Sequence, residues 1–292
     1  MTFVLALVAA AVYGVGTALQ QQEARSAPAQ LSLRLGLLGR LARRPTWLAG
    51  LASDVVGFGL QTAALTTGSL VIVQPVLSTN LVFGLLVTAG LAHAALTRAQ
   101  VRAALAVVVG LALLLAVSHP TVHSHAPLGA RTWLVMVVLV GGLAATGAAV
   151  GAASSGPRRG IALGLAASAA EALMAVIAKA FGERAGHGLT PLLRSWEPYA
   201  VIGCGLTTLL IVQSAYQVGL PLVVLPLHAV GEPLLGVAIG IGLLHERVHL
   251  AAWRAPLVML AAWLLVAGLV VLSRGSRSRH DVSTKPTTGG RT

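Results

Sequence analysis

Apolar residues fill this chain in stretches of about twenty, set apart by short joints that hold Arg, Pro, Gly and Ser. A helix needs about 20 residues to cross a hydrocarbon core about 30 Å thick. Nine stretches qualify, running approximately 2–20, 47–67, 70–92, 100–117, 132–152, 160–181, 198–216, 220–244 and 252–272. Backbone surrounded by lipid has to satisfy its own hydrogen bonds, so each stretch is predicted as a helix. The expected fold is all-α, a polytopic membrane protein of about nine transmembrane helices.

Two of these stretches are copies. Ala64–Ala95 aligns with Ala215–Glu246 without a gap, setting Gly68 on Gly219, Pro75 on Pro226, and Asn80-Leu81 on Gly231-Glu232. The first span matches as well, with Ala11–Gln22 laid on Ala169–Ala180 so that Tyr13 meets Glu171 and Gln21 meets Lys179. Spans 1–4 then correspond to spans 6–9, with span 5 between them. An odd number of crossings between equivalent spans inverts the second half. The plan is two inverted four-helix repeats joined by one helix, and Pro-interrupted spans in matching places mark a transporter's binding site. The first repeat occupies 1–118, a linker with the connecting helix 119–158, the second repeat 159–273, and a disordered basic tail 274–292.

Composition agrees. The chain is 56% hydrophobic and 10% charged, with mean hydropathy +0.85, against about 25% charged residues in soluble domains. Its net charge of +12 lies in short joints and the tail, and aromatics are sparse, so topology explains it and nucleic acid is not an expected partner. With the N-terminus outside, 14 basic residues fall on the cytoplasmic side and five outside, with Lys179 inside a span. The first span has its arginines after the apolar run, which favours a reverse anchor over a signal peptide. The tail is expected in the cytoplasm and the protein in the plasma membrane. Segment 27–47 is expected to lie along the inner surface as an amphipathic helix, with Leu31, Leu35 and Leu38 on one face; a short tenth span is the alternative. Cys204, the single cysteine, excludes an internal disulfide.

The candidate chemistry lies inside the spans. Glu171 and Glu232 stand about 11 and 12 residues into theirs, roughly 17 Å deep at 1.5 Å per residue. A carboxylate at such depth costs about 2.5–3.5 kcal/mol on insertion, which makes it a functional candidate. Either can exchange a proton for a cationic substrate or hold a cation; the alternative is a structural carboxyl bonded to Ser or Thr. Asp54 is a third, expected nearer the cytoplasmic end. Asn80, Tyr13 and Gln74 complete the expected cavity, with Thr79, Gln61 and Gln213 as further polar candidates. Pro75, Pro226 and Pro233 are expected to break their helices and free backbone carbonyls toward the cavity. Lys179 and Glu183 fit an i,i+4 pair, and Gly147, Gly151, Gly236 and Gly240 fit close helix packing. His245-Glu246-Arg247-Val248-His249 matches the H-E-x-x-H zinc signature, but it straddles a span end and lacks a third ligand. His119, His123 and His125 belong to a polar outer loop. No metal site, cofactor or enzymatic activity is expected.

On these residues the chain resembles the drug/metabolite transporter superfamily. The second half is similar to a small multidrug resistance subunit, which has a mid-membrane Glu followed eight residues later by Lys, as Glu171 and Lys179. Trp196-Glu197-Pro198-Tyr199, Gln213-Ser214-Ala215-Tyr216 and Glu246-Arg247 resemble further motifs of that family. Nine spans and the pattern around Pro75 and Pro226 are also similar to the NIPA-type magnesium transporters. The resemblance covers most of 1–273 and rests mainly on Gly, Pro and small apolar residues. Tyr13 stands where the paired Glu would be, and Ala94-Ala95-Leu96 lacks the Glu-Arg pair.

The resemblance implies secondary transport of small solutes by alternating access, coupled to protons or cations, through a cavity lined by spans 1, 3, 6 and 8. The expected partners are a small-molecule or cation substrate and the bilayer, and the plan is compatible with a homodimer. A NIPA-like divalent-cation transporter is the alternative, and a non-transporting membrane scaffold a remote one.

Overall fold

Long apolar runs have to satisfy their backbone hydrogen bonds internally in lipid, and among the described residues the chain does so almost everywhere as helix. A computed structural model describes residues 1–91, 96–117, 119–121, 128–217, 224–244, 247–249 and 255–275. In chain order the helices are α1 (Thr2–Ser26), α2 (Leu35–Leu41), α3 (Pro45–Thr67), α4 (Leu70–Leu77), α5 (Asn80–Leu91) and α6 (Arg98–Val117). They continue as α7 (Ala130–Met136), α8 (Gly142–Ala153), α9 (Gly156–Ala185), α10 (Leu189–Leu193), α11 (Glu197–Gln217), α12 (Val224–Gly242) and α13 (Ala255–Gly275). A π-helical turn, Val137–Gly141, joins α7 to α8, so Ala130–Ala153 runs as one span.

Among the described residues six helical segments are long and apolar enough to cross a membrane: Thr2–Ser26, Pro45–Thr67, Leu70–Val87, Ala130–Ala153, Gly156–Ala185 and Glu197–Gln217. The chain is thus a multi-helix, membrane-embedded protein. Large apolar side chains point outward from it, among them Leu105, Val108 and Val109 on α6, Val137–Leu139 beside α8, and Met259 and Trp263 on α13. Contiguous exposed apolar surface of this kind needs a partner, and lipid supplies one.

Helix α9 is the axis, with 78% of its most apolar stretch buried. It packs on α8, α11, α12 and α3. Its buried face is almost all Ala, Gly and Ser, from Gly160 to Ala178, which lets neighbouring backbones come close. Gly147 of α8 uses that surface: a Cβ there would lie 2.8 Å from the Ala162 carbonyl oxygen. Helix α1 packs on α3, α4, α5 and α11, and α6 pairs with α13.

The Pro-broken span behaves as expected in one copy and not in the other. Pro75 sits inside α4, the helix stops at Leu77, and α5 restarts at Asn80. The carbonyls there do not point free into a cavity. Ser78 Oγ donates to the Pro75 oxygen and Thr79 Oγ1 to the Val76 oxygen, each at 2.7 Å. In the second copy α12 is continuous from Val224 to Gly242. Pro226 falls in its first turn, where a missing N–H is tolerated, and Pro233 does not break the helix.

Segment 27–47 also departs from expectation. Helix α2 has seven residues, a rise of about 10 Å, so it does not cross. Leu37 and Leu41 form its buried face with Trp47, Leu209 and Leu210; of the expected face Leu31 and Leu38 pack against this cluster, while Leu35 is 75% exposed. The strap is tied across the bundle: Leu33 N–H donates to Ser214 Oγ at 2.8 Å, and Gln217 Nε2 to the Pro28 oxygen at 3.0 Å. Arg25→Cys and Thr46→Cys, each in a Cys204→Ser background, should therefore react with an impermeant maleimide from the same side. Labelling from opposite sides would mean that the strap crosses the membrane.

At the other end β1 (His119–Thr121) and β2 (Arg247–His249) pair antiparallel, with His119 opposite His249. The loops after α6 and α12 thus meet at one end of the bundle. Arg247–His249 being extended removes the single helical face on which an H-E-x-x-H zinc site depends. His123, His125, His245, Glu246, Pro221 and the tail from 276 lie outside the described residues.

Candidate functional site

Four polar groups sit near the middle of apolar helices. The midpoints of α1, α3, α9 and α12 fall at residues 14, 56, 170–171 and 233, and Tyr13, Asp54, Glu171 and Glu232 each lie within two residues of them. Asp54 had been expected nearer a helix end; α3 starts earlier than its apolar pattern suggests, at Pro45, so Asp54 is central.

Glycines make the room. The Tyr13 ring lies over Gly57, where a Cβ would stand 3.0 Å from ring carbons. Its hydroxyl donates to Gln61 Oε1 at 2.6 Å. Gly16 leaves space for the Asp54 carboxylate, which accepts from Gln20 Nε2 at 2.5 Å. Gln213 Nε2 in turn donates to Gln20 Oε1. A buried polar chain, Gln213 to Gln20 to Asp54, therefore links α11, α1 and α3. On the far side Gly231 lies against Ser168 and lets α12 settle on α9, which brings the Glu171 and Glu232 carboxyl groups to one wall of the same space. Thr17 of α1 and Tyr216 of α11 face the same space.

All of these polar side chains except Gln213 and Ser168 face one chamber of about 520 Å³, within the range of small-molecule sites. Tyr13, Asp54, Asn80, Glu171 and Glu232 line it together. The walls differ from the expected set of spans. Leu51, Asp54, Val55, Phe58 and Gln61 of α3, and α11 from Val201 to Tyr216, supply much of the surface. Val55, Ile202 and Leu206 line the chamber and are 65%, 61% and 55% exposed. Among the described residues α3 and α11 do not pack closely on each other, so the chamber is open between them. Gln74 is not part of it. Its side chain is buried against Gly236 of α12, and neither amide atom has a hydrogen-bond partner among the described residues.

Gln20, Thr17 and Tyr216 were not among the expected site residues. The signal for Gln20 was available: Gln20 and Gln213 are both amides set in apolar spans of opposite halves. Replacing Gln20 by Leu strands both Asp54 and Gln213. The expected cost is about 1–3 kcal/mol, above the ~0.6 kcal/mol average for an interhelical bond in membranes, because two buried partners lose it. A lowered unfolding temperature in detergent checks this; an unchanged one would mean that the chain of amides carries no stability.

No family model matches the sequence, and no solved structure matches it. An uncharacterized protein of Corynebacterium glutamicum is 28% identical over 282 residues, covering 94% of this chain and 96% of its own length. The similarity therefore runs through both halves and is not confined to one span.

Proposed function

We propose that this chain is a secondary transporter of the drug/metabolite transporter type, moving small organic solutes by alternating access with proton coupling. The observation that carries the reading is the chamber itself: three carboxyl groups and Tyr13 at mid-depth, with Tyr216 at the end of α11, enclosed by helices from both halves of the chain. A structural carboxyl has no need of a chamber. Carboxyl groups that line a ligand-sized space can take up a proton and release it as a cationic substrate arrives, so that one charge replaces another.

Helix packing supports two inverted repeats. Within the first half α1 meets α3 and α5, and within the second α9 meets α11 and α12. Across the halves α3 meets α9 and α1 meets α11, while α6 pairs with α13. Each contact has its counterpart when α1, α3, α5 and α6 are exchanged for α9, α11, α12 and α13. With α4–α5 as one span and α7–α8 as another, this gives nine crossings. The meeting of β1 with β2, both after even-numbered spans, fits that count. The excess of arginine at the opposite end favours a cytoplasmic location for that end and an N-terminus outside.

The chamber walls favour an organic solute over a divalent cation. Mg²⁺ retains several waters and is bound by oxygen ligands in octahedral geometry. Among the described residues no three His, Cys, Asp or Glu groups converge closely enough to hold a metal. Val55, Phe58, Leu77, Met174, Ile202 and Leu206 offer an apolar body of a ligand far more contact than water would find.

Flux into proteoliposomes under a pH gradient tests the reading with a panel of organic cations, neutral metabolites and Mg²⁺. Uptake of at least one organic solute, dissipated by a protonophore, is expected. Uptake of Mg²⁺ alone would replace this substrate class, and no uptake of any panel member would remove the transport reading.

A further inference from the structure

A second hollow lies outside the chamber, at the end of the bundle where α1 ends and α3 begins. It holds about 550 Å³ and is lined by Leu31, Gly36, Gly39, Arg40, Arg43 and Arg44. The local balance is strongly basic. Glu23 is the nearby acid, and it is already engaged: Thr46 Oγ1 donates to it at 2.5 Å and Arg44 Nε stands 3.9 Å away. Arg40 and Arg43 form no ion pair with any described residue.

The scaffold under these arginines is fixed. Leu37 and Leu41 hold α2 down on Trp47, Leu209 and Leu210, and Leu33 N–H is tied to Ser214. Gly36 lies one turn before Arg40 on the same face, and a Cβ at Gly39 would meet nothing within 4 Å. The hollow is therefore open to a group of several atoms. Beside it Leu35 is 75% exposed, in the segment between the end of α1 and the start of α3. An occupant that matches all of this is anionic at one end and apolar at the other. A soluble anion would satisfy the guanidinium groups and leave Leu35 in water.

We propose that this hollow binds the headgroup of an anionic phospholipid, its phosphate held by Arg40 and Arg43 with Arg44 at the rim, and its acyl chain laid over Leu35. Arg forks suit phosphate oxygens, and basic clusters at the ends of spans bind acidic lipids. The strap that carries the site is bonded to α11, so a bound lipid braces one wall of the chamber from outside.

The test uses the full chain in a neutral detergent, with dioleoyl-phosphatidylglycerol, dioleoyl-phosphatidylcholine or sodium phosphate added. Phosphatidylglycerol should raise the unfolding temperature and survive as an adduct in native mass spectrometry, and phosphatidylcholine should do neither. The Arg40→Gln/Arg43→Gln pair should bind phosphatidylglycerol about thirtyfold more weakly, at roughly 1 kcal/mol per basic residue, and unfold at the parent temperature without lipid. Arg43→Gln alone, in the joint after α2, gives a smaller loss and serves if the pair does not fold. Equal adducts with both lipids, or unchanged binding by the variants, would overturn the site. Inorganic phosphate stabilising as strongly as phosphatidylglycerol would overturn its assignment to lipid.

Discussion

Glu171→Gln protein in liposomes will show flux no greater than protein-free vesicles for every solute that the parent chain moves, while unfolding within a few degrees of the parent. The substitution is nearly isosteric. A glutamine amide at 171 fills the same space, so the contact between α9 and α12 survives. It can neither release a proton nor carry a negative charge. If the carboxyl holds a cationic substrate, its loss removes about 1.5–3 kcal/mol of charge-assisted binding, roughly 10- to 150-fold in affinity, in addition to losing the exchanged proton. Asp54→Asn is the internal comparison. Asp54 is bound to the Gln20 amide, so its replacement should weaken flux without abolishing it. Flux by Glu171→Gln at the parent rate would make Glu171 a structural carboxyl and remove it from the mechanism.

Gly14→Ala will destabilise the protein by about 1–3 kcal/mol, the usual cost of overpacking. A Cβ at residue 14 would stand 2.6 Å from Phe83 Cβ and 2.7 Å from both the Asn80 carbonyl oxygen and the Gly84 nitrogen. Two of those three atoms are backbone, so no side-chain rotation relieves the clash. Helix α5 has to move away from α1 at its first turn, and Asn80 goes with it. The chamber should therefore suffer as well as the fold, with substrate affinity falling in the fraction that remains folded. Gly203→Ala is the control: a Cβ there meets nothing within 4 Å, and alanine is the better helix former by about 1 kcal/mol, so its unfolding temperature should hold or rise. Equal unfolding temperatures for Gly14→Ala and the parent would mean that α1 and α5 are not in close contact.

What the sequence made legible was set by local physics. Helix length follows from the need to cross lipid, and where the expected stretches are described they are helical, six of the helical segments being long and apolar enough to cross a membrane. The depth of Glu171 and Glu232 follows from counting along those helices. The interruption after Pro75 was visible because proline removes a backbone donor from the helix. Pro233 looked the same on paper, yet α12 runs on through it. The helix face of the strap was misread because Leu35 and Leu37 are equally apolar, and only the position of Trp47 and Leu209 decides which one is covered. Gln74 and Asn80 were indistinguishable as polar residues in one apolar span. Their different fates, one buried on Gly236 and one lining the chamber, depend on how α1 and α12 approach that span. Gln20 was missed for the same reason, since its value comes from a partner 193 residues away.

The gap between α3 and α11 changes what concentration means for this protein. A solute that reaches the chamber past Val55, Ile202 and Leu206 arrives dissolved in hydrocarbon, where a lipophilic cation is enriched over the aqueous phase according to its partition coefficient. Half-saturation expressed per litre of buffer should then shift with the lipid-to-protein ratio and differ between detergent and vesicles. Expressed per mole of lipid it should stay constant. Two solutes that contact the chamber equally well would be ranked by how readily each leaves water.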